Sequence, residues 1–406
     1  MAAWSELPED LLALVFARIF FPVDRACFQA VCRSWRSAAR PPARQLPWIV
    51  FPNGGVMTPF DRVVHRIASY PKAITSCVGM ALAVRAWHRF VSLPKTTTCI
   101  GSTDGWIAID DRVGKMYRNY LLHNMFSGTT LSLPELDAAI GHVSKLFNIR
   151  KVLLRSTPDD VIALMTNHRS CPIILTRLGK GVWLPKSYAA PLVSIIDVAF
   201  LGDRLYGVTK DEDLVFLDIA FNYSGVPIVT GGKCVIGEGF DHDDYDDHDT
   251  EDDDLTKMTK KDMVPQEFRY IDVDESMEND IKTMWYLIES RGKLLMVRRQ
   301  VVTPFEFTHT VEVFEADMRA AMWVPVEAWL EDQALFISRR FSKSVSAAFS
   351  TAIQKDAIYF ADTEDVFDMR SQTVSAQGND LDSYNAYLRS WNSRQLMWVF
   401  PPELVA

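Results

Sequence analysis

The residues of this chain whose types and spacing could do chemistry are mainly acids, and their densest group lies at 241–254. This stretch holds ten Asp or Glu residues together with His242 and His248, and it contains no Lys or Arg. Hard cations take oxygen ligands at defined positions, but the run lacks the Gly and the terminal Glu of an EF-hand loop. We interpret it as a solvated, disordered loop between strands. The alternative hypothesis is an acidic surface that attracts a basic segment of a target protein.

Catalytic signals are weak in the rest of the chain. The sequence has no G-x-S-x-G elbow, no G-x-x-x-x-G-K-[ST] phosphate loop, no G-x-G-x-x-G and no H-E-x-x-H. The eight His residues are scattered, and no two of the six Cys residues form a C-x-x-C pair. We therefore predict a protein that is not an enzyme, with no catalytic residues, no metal site and no cofactor.

Composition and charge narrow the class of protein further. The chain has 406 residues, 48% hydrophobic and 23% charged, and a net charge of −9 that comes almost entirely from the acidic run. The near-neutral remainder argues against nucleic-acid binding, and the longest apolar stretch, Leu11 to Val23, is too short to cross a bilayer. With no signal peptide and few cysteines, we expect a soluble cytoplasmic and/or nuclear protein without membrane or nucleic-acid partners.

The elements that must position any binding residues begin with two helical segments. Pro8, Glu9 and Asp10 predict a helix start, followed by apolar residues at helical spacing: Leu11, Leu12, Val15, Phe16 and Ile19. Asp24 is the predicted N-cap of a second helical segment, with apolar residues at Phe28, Val31, Cys32, Trp35 and Ala39. About forty-five residues build little core alone, so one apolar face must pack on the rest of the chain or on a partner.

Three pieces of this segment together resemble an F-box: residues 4–12, residues 22–24 and residues 31–36. The resemblance implies a three-helix module over residues 1–45 that docks on the Skp-type adaptor of cullin–RING ubiquitin ligases. Transferred by motif position, the first part supplies the expected adaptor contacts Leu7, Pro8, Leu11, Leu12 and Ile19. The second part supplies Val31, Cys32 and Trp35, with a mixture of adaptor contact and internal packing.

After Pro47 the pattern changes to short apolar strands separated by turns. A turn with Gly or Asp followed by an aromatic or aliphatic strand recurs near residues 105, 203, 292 and 356, and a weaker strand pair spans Val152 to Met165. Phe126-Ser127-Gly128 predicts a hairpin turn. These intervals favour a β-propeller of six to eight blades, with seven as the central estimate. Two stacked β-sandwiches are the alternative architecture.

The two ends of the strand region are similar to each other. Trp48-Ile49-Val50-Phe51-Pro52 and Trp398-Val399-Phe400-Pro401 are both short strands followed by Pro. We predict that they lie in the same or adjacent blades and close the ring.

Short motifs across residues 50–402 resemble the KIB-type β-propeller, a plant family often fused behind an F-box. They include Asp104-Gly105-Trp106, residues 131–134, residues 200–206, residues 286–295, Val313-Phe314, Trp323, residues 334–336 and residues 358–360. His123-Asn124-Met125 departs from the family's usual small-Asn-Pro phrase. The resemblance implies a propeller over residues 46–406 that carries the acidic loop at 241–254, and it implies nothing about a shared target.

Together the two resemblances imply a substrate-recognition subunit of an SCF-type E3 ligase in the ubiquitin conjugation pathway. The F-box is expected to bind the Skp-type adaptor, and through it the cullin and RING subunits. The propeller is expected to bind a protein target whose identity and binding loops the sequence does not give. The alternative is a β-propeller interaction module that acts outside ubiquitination.

Overall fold

A computed structural model of the chain shows a group of short helices followed by six β-sheets. It describes residues 7–16, 19, 22–39, 46–52, 54–57, 64–66, 97–113, 117–141, 147–168, 171–185, 195–237, 281–302, 307–327, 329–363, 365–376, 395–401 and 404. The acidic run at 241–254 and its two histidines lie outside the described residues, as does the predicted domain boundary at residue 45.

Three helices form the N-terminal part: α1 (Glu9–Phe16), α2 (Pro22–Val31) and α3 (Arg33–Ala38). The predicted second segment is therefore two helices, because the backbone of Cys32 is extended, with φ −161° and ψ −179°. Asp24 is not an N-cap, since α2 already begins at Pro22 and Asp24 lies in its first turn. Helical spacing of apolar residues continued through Cys32, so the periodicity alone gave no sign of the break.

The three helices share one small core. Leu12 and Phe16 of α1 pack with Phe28 of α2 and Ala38 of α3, and all four side chains are buried. The ring centroid of Phe28 lies 5.3 Å from that of Phe16 and 4.4 Å from that of Trp35. These aromatic contacts fix α1 against the other two helices, as aromatic pairs at this spacing are attractive beyond their buried area.

The six sheets, called blades 1 to 6 below, contain all the strands of the described residues. Blades 1 to 3 comprise β1 (Trp48–Val50), β2 (Gly55–Met57), β3 (Val64–Arg66) and β25 (Met397–Val399); β4 (Thr97–Thr103), β5 (Trp106–Val113), β6 (Tyr117–Asn124) and β7 (Thr130–Ser132); and β8 (Ile149–Leu154), β9 (Ile162–Thr166), β10 (Ile173–Arg177) and β11 (Gly181–Trp183).

Blades 4 to 6 follow in chain order. They comprise β12 (Ile195–Leu201), β13 (Arg204–Thr209), β14 (Leu214–Phe221) and β15 (Pro227–Ile236); β16 (Ile281–Ser290), β17 (Lys293–Val302), β18 (Phe307–Asp317) and β19 (Met322–Pro325); and β20 (Gln333–Ile337), β21 (Lys343–Ser346), β22 (Ala357–Phe360), β23 (Asp365–Asp368) and β24 (Thr373–Ala376).

The structure is thus a six-bladed propeller, and the central estimate of seven blades is wrong by one. The estimate divided the chain by a uniform repeat of 40 to 50 residues. Blade 6 uses five strands instead of four, because β21 folds back beside β20 at its inner edge. Along the chain, 44 residues lie between the end of β15 at Ile236 and the start of β16 at Ile281, so the spacing from blade 4 to blade 5 departs from a uniform repeat. Six small sheets also exclude the stacked-sandwich alternative.

The ring closes as predicted between the two ends of the strand region. β25 pairs antiparallel with β1, with Trp48 opposite Val399 and Val50 opposite Met397. The indole N–H of Trp398 donates to the carbonyl of Ile337 in blade 6, at 2.9 Å. Blade 1 is therefore built from both ends of the chain, and unfolding it requires the whole ring to open.

Most predicted turns are found where Gly or Asp marked them. The β6–β7 hairpin encloses Phe126-Ser127-Gly128, and Arg291-Gly292 joins β16 to β17. The turn predicted near residue 105 consists of Asp104-Gly105, and Gly101 lies inside β4. A Cβ on Gly101 would meet Val152 Cγ2 at 2.7 Å, so glycine there permits the close approach of blades 2 and 3.

Buried polar links tie the inner strands to each other. The ammonium of Lys151 on β8 donates to Asp197 Oδ1 on β12 at 2.7 Å, and the same carboxylate accepts the N–H of Leu287 on β16 at 2.8 Å. One carboxylate thus links blades 3, 4 and 5. A short helix that the sequence analysis missed, α4 (Pro134–Ile140), packs Leu136 and Ile140 against blades 2 and 3.

Among the helices of the described residues, none is both long and apolar enough to cross a membrane. The same part of the chain contains no cluster of three or more His, Cys, Asp or Glu side chains that would hold a metal ion.

Candidate protein-binding surface

Helix α1 carries a second apolar face that the three-helix core does not cover. Leu11, Leu14 and Val15 are 45%, 55% and 46% exposed. Residues spaced three and four apart share one side of a helix, so these three side chains form a continuous surface. On the other side of the same helix, Leu12 and Phe16 are buried. A helix this apolar all round needs a partner for the side that faces water.

The predicted contact residues divide into three groups in the structure. Pro8, Leu11 and Val31 are exposed, with 56% of Val31 open to solvent at the end of α2. Leu7, Ile19 and Trp35 are half-buried and pack on the module core, and Cys32 is half-buried at the start of α3. Leu12 has no exposed area and belongs to the core.

Sequence reasoning missed Leu14 as a candidate contact. The apolar face that the helical spacing predicts passes through Leu11, Leu12, Val15 and Phe16 and does not include it. Leu14 is the most exposed of the apolar residues on α1. Its spacing of three from Leu11 was the signal that would have found it.

Polar contacts hold α1 in the position that presents this face. The hydroxyl of Ser37 on α3 donates to Glu9 Oε1 at the first residue of α1, at 3.0 Å. The guanidinium carbon of Arg25 lies 4.9 Å from the centroid of the Phe16 ring, and Arg25 is almost fully buried. Such a cation–π contact in a buried position is worth about 2 kcal/mol. The exposed face of α1 is therefore set by its buried contacts to α2 and α3.

Cys32 lies between α2 and α3 as the residue before the first turn of α3. The backbone N–H of Trp35 lowers the pKa of the Cys32 thiol below its usual value, with a smaller contribution from Ser34. Its sulfur lies 3.8 Å from the hydroxyl of Ser34, to which the thiol donates. These are local contacts of a helix start, so the position serves the turn between α2 and α3.

The surface as a whole is suited to binding by burial of apolar area. Fully burying a Leu or Val side chain contributes about 1.5–3 kcal/mol. Exposed Glu9 and Asp10 lie at the start of α1, beside the apolar residues, as the polar rim of a protein interface does. The chemistry of the arrangement is that of a protein–protein contact.

The propeller exposes aromatic side chains of its own. Tyr223 is fully exposed at the tip of the β14–β15 turn, and Trp329 is 61% exposed between blades 5 and 6. The turn that carries Tyr223 is fixed by Asn222, whose Oδ1 accepts the N–H groups of Ser224 and Val226. Arg370 lies over the ring of Trp329, 4.2 Å from its centroid. Exposed aromatics held in place in this way are typical of binding surfaces.

Comparison with known proteins agrees with both parts of the structure. Residues 4–43 match the F-box-like family model, and residues 81–385 match the KIB1-4 beta-propeller model. The propeller seen here extends beyond that match, because blade 1 uses strands at 48–66 and 397–399.

Several F-box proteins of Arabidopsis thaliana are similar in sequence. Probable F-box protein At4g22060 is 26% identical over 39% of this chain and 36% of its own length. F-box protein SKIP23 is 31% identical over 37% of this chain and 34% of its own length. Putative F-box protein At3g25750 is 21% identical over 88% of this chain and 87% of its own length. The chain therefore spans about a third of the first two relatives.

The family model for the propeller covers well over half of the chain. The chain belongs to the KIB1-4 beta-propeller family, and it carries an F-box-like segment in front of the propeller.

Proposed function

We propose that this protein is the substrate-recognition subunit of an SCF-type cullin–RING ubiquitin ligase. The observation that supports the proposal best is the exposed apolar face of α1 inside a segment that matches the F-box-like model. The docking surface for a Skp-type adaptor comprises Leu11, Leu14 and Val15 of α1, together with the exposed residues Pro8 and Val31. Leu12 supports this surface from the core and does not touch the adaptor.

The other predicted contacts have graded roles in this proposal. Leu7 and Ile19 use their exposed edges at the margin of the docking surface, and Trp35 mainly fixes α3 against Phe28. Cys32 positions the start of α3. The adaptor links the chain to the cullin and RING subunits. In this proposal no residue of the chain takes part in the transfer of ubiquitin.

The propeller binds the protein target and holds it near the ubiquitin-charged enzyme. Holding two reactants together supplies the rate enhancement through proximity and orientation, so the protein needs no catalytic residue of its own. The exposed aromatics Tyr223 and Trp329 are the proposed anchors for the target. The protein acts where the ligase acts, in the cytoplasm and/or the nucleus.

Adaptor binding tests the proposal most simply. The affinity of the purified chain for a purified Skp-type adaptor is measured by calorimetry for the wild type and for Leu11→Ala/Val15→Ala. Removing two partly exposed apolar side chains from the interface costs about 3 kcal/mol, which is roughly a 100-fold weaker affinity.

The matched control is Val374→Ala, an apolar side chain of blade 6 that is 39% exposed and distant in sequence from the helices. It is expected to bind the adaptor as the wild type does. A folded wild-type chain that does not bind the adaptor, or equal affinity for the double variant, would refute the proposed docking surface.

A further inference from the structure

The loop between β20 and β21 lies across the ring instead of staying with its own blade. Arg340 in this loop uses one nitrogen, Nη1, to donate to the carbonyl of Ile100 and to the carbonyl of Ile149, at 2.5 Å each. Ile100 belongs to β4 of blade 2 and Ile149 to β8 of blade 3, whereas the loop belongs to blade 6. The Arg340 guanidinium therefore lies in the space that the inner strands enclose.

Both accepting carbonyls sit at irregularities of the inner strands. The pairing of β4 with β5 shifts between Cys99 and Gly101, and the pairing of β8 with β9 shifts between Ile149 and Lys151. A β-bulge removes a residue from the ladder and redirects its backbone groups. Ile100 is the residue skipped in β4, whereas Ile149 is the last paired residue before the shift in β8. Arg340 bonds to both carbonyls, so the plane of its guanidinium is fixed from two sides.

This arrangement uses only part of the donor capacity of the side chain. An Arg guanidinium has five N–H donors, and Nη1 accounts for two of them. The Nε and Nη2 groups of Arg340 have no acceptor among the residues that the structure describes. One edge of the guanidinium is thus left for water or for a ligand.

The charge of Arg340 has no counterion among the described residues. The buried cations Lys151 and Arg299, in contrast, are paired, Lys151 with Asp197 at 2.7 Å and Arg299 with Asp362 at 2.8 Å. Within the described residues, no carboxylate lies within 4.0 Å of Arg340. Burial and the nearby positive charge of Arg150 together lower the pKa of Arg340 to about 10. Arg340 is half-buried, so an oxyanion that joins it gains a charge-assisted hydrogen-bonded contact partly shielded from water.

We propose that the free edge of Arg340 binds a phosphate-class oxyanion inside the ring. The planar edge of a guanidinium matches two oxygens of a phosphoryl group in a bidentate pair. The group is either a free anion or a phosphorylated side chain of the target. The second form deepens the proposed function and rests on it, whereas the first is independent of adaptor binding.

The test uses the full-length protein and inorganic phosphate as the probe. Phosphate is titrated at constant ionic strength, with chloride as the replaced anion, and the thermal unfolding midpoint is recorded. The wild type is expected to show a saturating stabilisation by phosphate. Arg340→Lys keeps the charge but loses the planar edge. This variant is expected to need at least tenfold more phosphate for half of the maximal stabilisation. The control Arg204→Lys, at an exposed Arg paired with Asp218, is expected to respond as the wild type does.

Two outcomes would overturn the site. Either phosphate stabilises the wild type no more than chloride does, or Arg340→Lys responds like the wild type. If Arg340→Lys does not fold, the 15N–1H signal of the Arg340 side-chain Nε in the wild type decides. A saturable shift with phosphate supports the site, and an unchanged signal refutes it.

Replacing phosphate with O-phosphoserine separates the two sources of the oxyanion. Tighter binding of phosphate indicates a free anion, and tighter binding of phosphoserine indicates a target side chain.

Discussion

At the scale of single residues, two neighbouring leucines of α1 have different surroundings. Leu12 has no exposed area and packs with Phe16 and Phe28, whereas Leu11 is 45% exposed on the adjacent side of α1. The motif predicts both as adaptor contacts, because a linear motif does not distinguish the side of the helix that builds the core. The structure places Leu12 in the core, and Leu11 stays a predicted adaptor contact.

The separation predicts opposite effects for two identical substitutions. Leu12→Ala is expected to destabilise the three-helix module by about 2–5 kcal/mol, because it leaves a cavity in a small core. Leu11→Ala is expected to change module stability by less than about 0.5 kcal/mol and to weaken adaptor binding instead. Hydrogen-exchange protection of peptides from residues 7–39 measures the first effect. Equal protection in the two variants would contradict this division of roles.

Arg299 and Asp362 form the most deeply buried charge pair of blades 5 and 6. The Arg299 side chain has no exposed area, donates to Asp362 at 2.8 Å, and lies over the Phe360 ring at 3.9 Å. Burial would raise the pKa of Asp362, but the guanidinium groups of Arg299 and Arg339 outweigh it and lower the pKa below its ordinary value of 3.8. The pair therefore stabilises the folded chain only while the carboxylate is ionised.

The lowered pKa fixes the pH dependence of this contribution. Because the unfolded carboxyl takes up its proton first, the stabilisation is complete above pH 3.8 and is lost as the pH falls below that value. Asp362→Asn is expected to cost about 3 kcal/mol at pH 7, and the difference from the wild type is expected to shrink below pH 4. Urea unfolding at pH 7, 5, 4 and 3.5 measures both effects.

An exposed pair provides the control for this experiment. Arg204 Nε lies 2.9 Å from Asp218 Oδ1, and about half of each side chain is exposed to water. Asp218→Asn is expected to cost less than about 1 kcal/mol, since water screens exposed ion pairs. Equal losses for Asp218→Asn and Asp362→Asn at pH 7 would show that burial does not set the strength of these pairs.

At the scale of elements, the turns between strands were predicted well, whereas the short helix α4 was not predicted. Gly and Asp marked the β4–β5, β12–β13 and β16–β17 turns because these residues accept the backbone angles of tight turns. The missed helix α4 had its own signals, Pro134 at the start, acids in the first turn, and Leu136 four residues before Ile140. The strand that the Phe126-Ser127-Gly128 hairpin predicts just before α4 is β7.

The β18–β19 turn contains one residue in an unfavourable backbone conformation. Ala321 has φ +54°, in the left-handed region that suits glycine, and its side chain is exposed. The left-handed conformation costs a non-glycine residue about 1–2 kcal/mol, which exceeds the extra backbone entropy that glycine loses on folding. Ala321→Gly is therefore expected to stabilise the propeller by about 0.5 kcal/mol.

Ala320 in the same turn is the matched control, because its φ is not positive. Ala320→Gly is expected to destabilise the propeller by about 0.5–1 kcal/mol, as glycine loses more conformational entropy there without relief of strain. Thermal unfolding midpoints compare the two variants with the wild type. A lower midpoint for Ala321→Gly would refute the strain attributed to that residue.

At the scale of the whole molecule, the architecture class was predictable and its numbers and cross-links were not. The strand spacing and the paired Trp motifs at 48 and 398 indicated a closed propeller, and the ends do pair. The blade count was wrong because the repeat is degenerate. Neither the long spacing between blades 4 and 5 nor the fifth strand of blade 6 can be recognised from it. Arg340 was missed because its partners, Ile100 and Ile149, lie far away along the chain.

The central claim is that the helical module and the propeller together form the target-binding arm of a cullin–RING ligase. The most direct test mixes the purified chain with a Skp-type adaptor, a cullin and a RING subunit, and measures by size-exclusion chromatography with light scattering whether all four elute together. The account predicts one complex with the wild type and only the three-subunit complex, with the chain eluting separately, for Leu11→Ala/Val15→Ala. A folded wild-type chain that elutes apart from the cullin would contradict the claim.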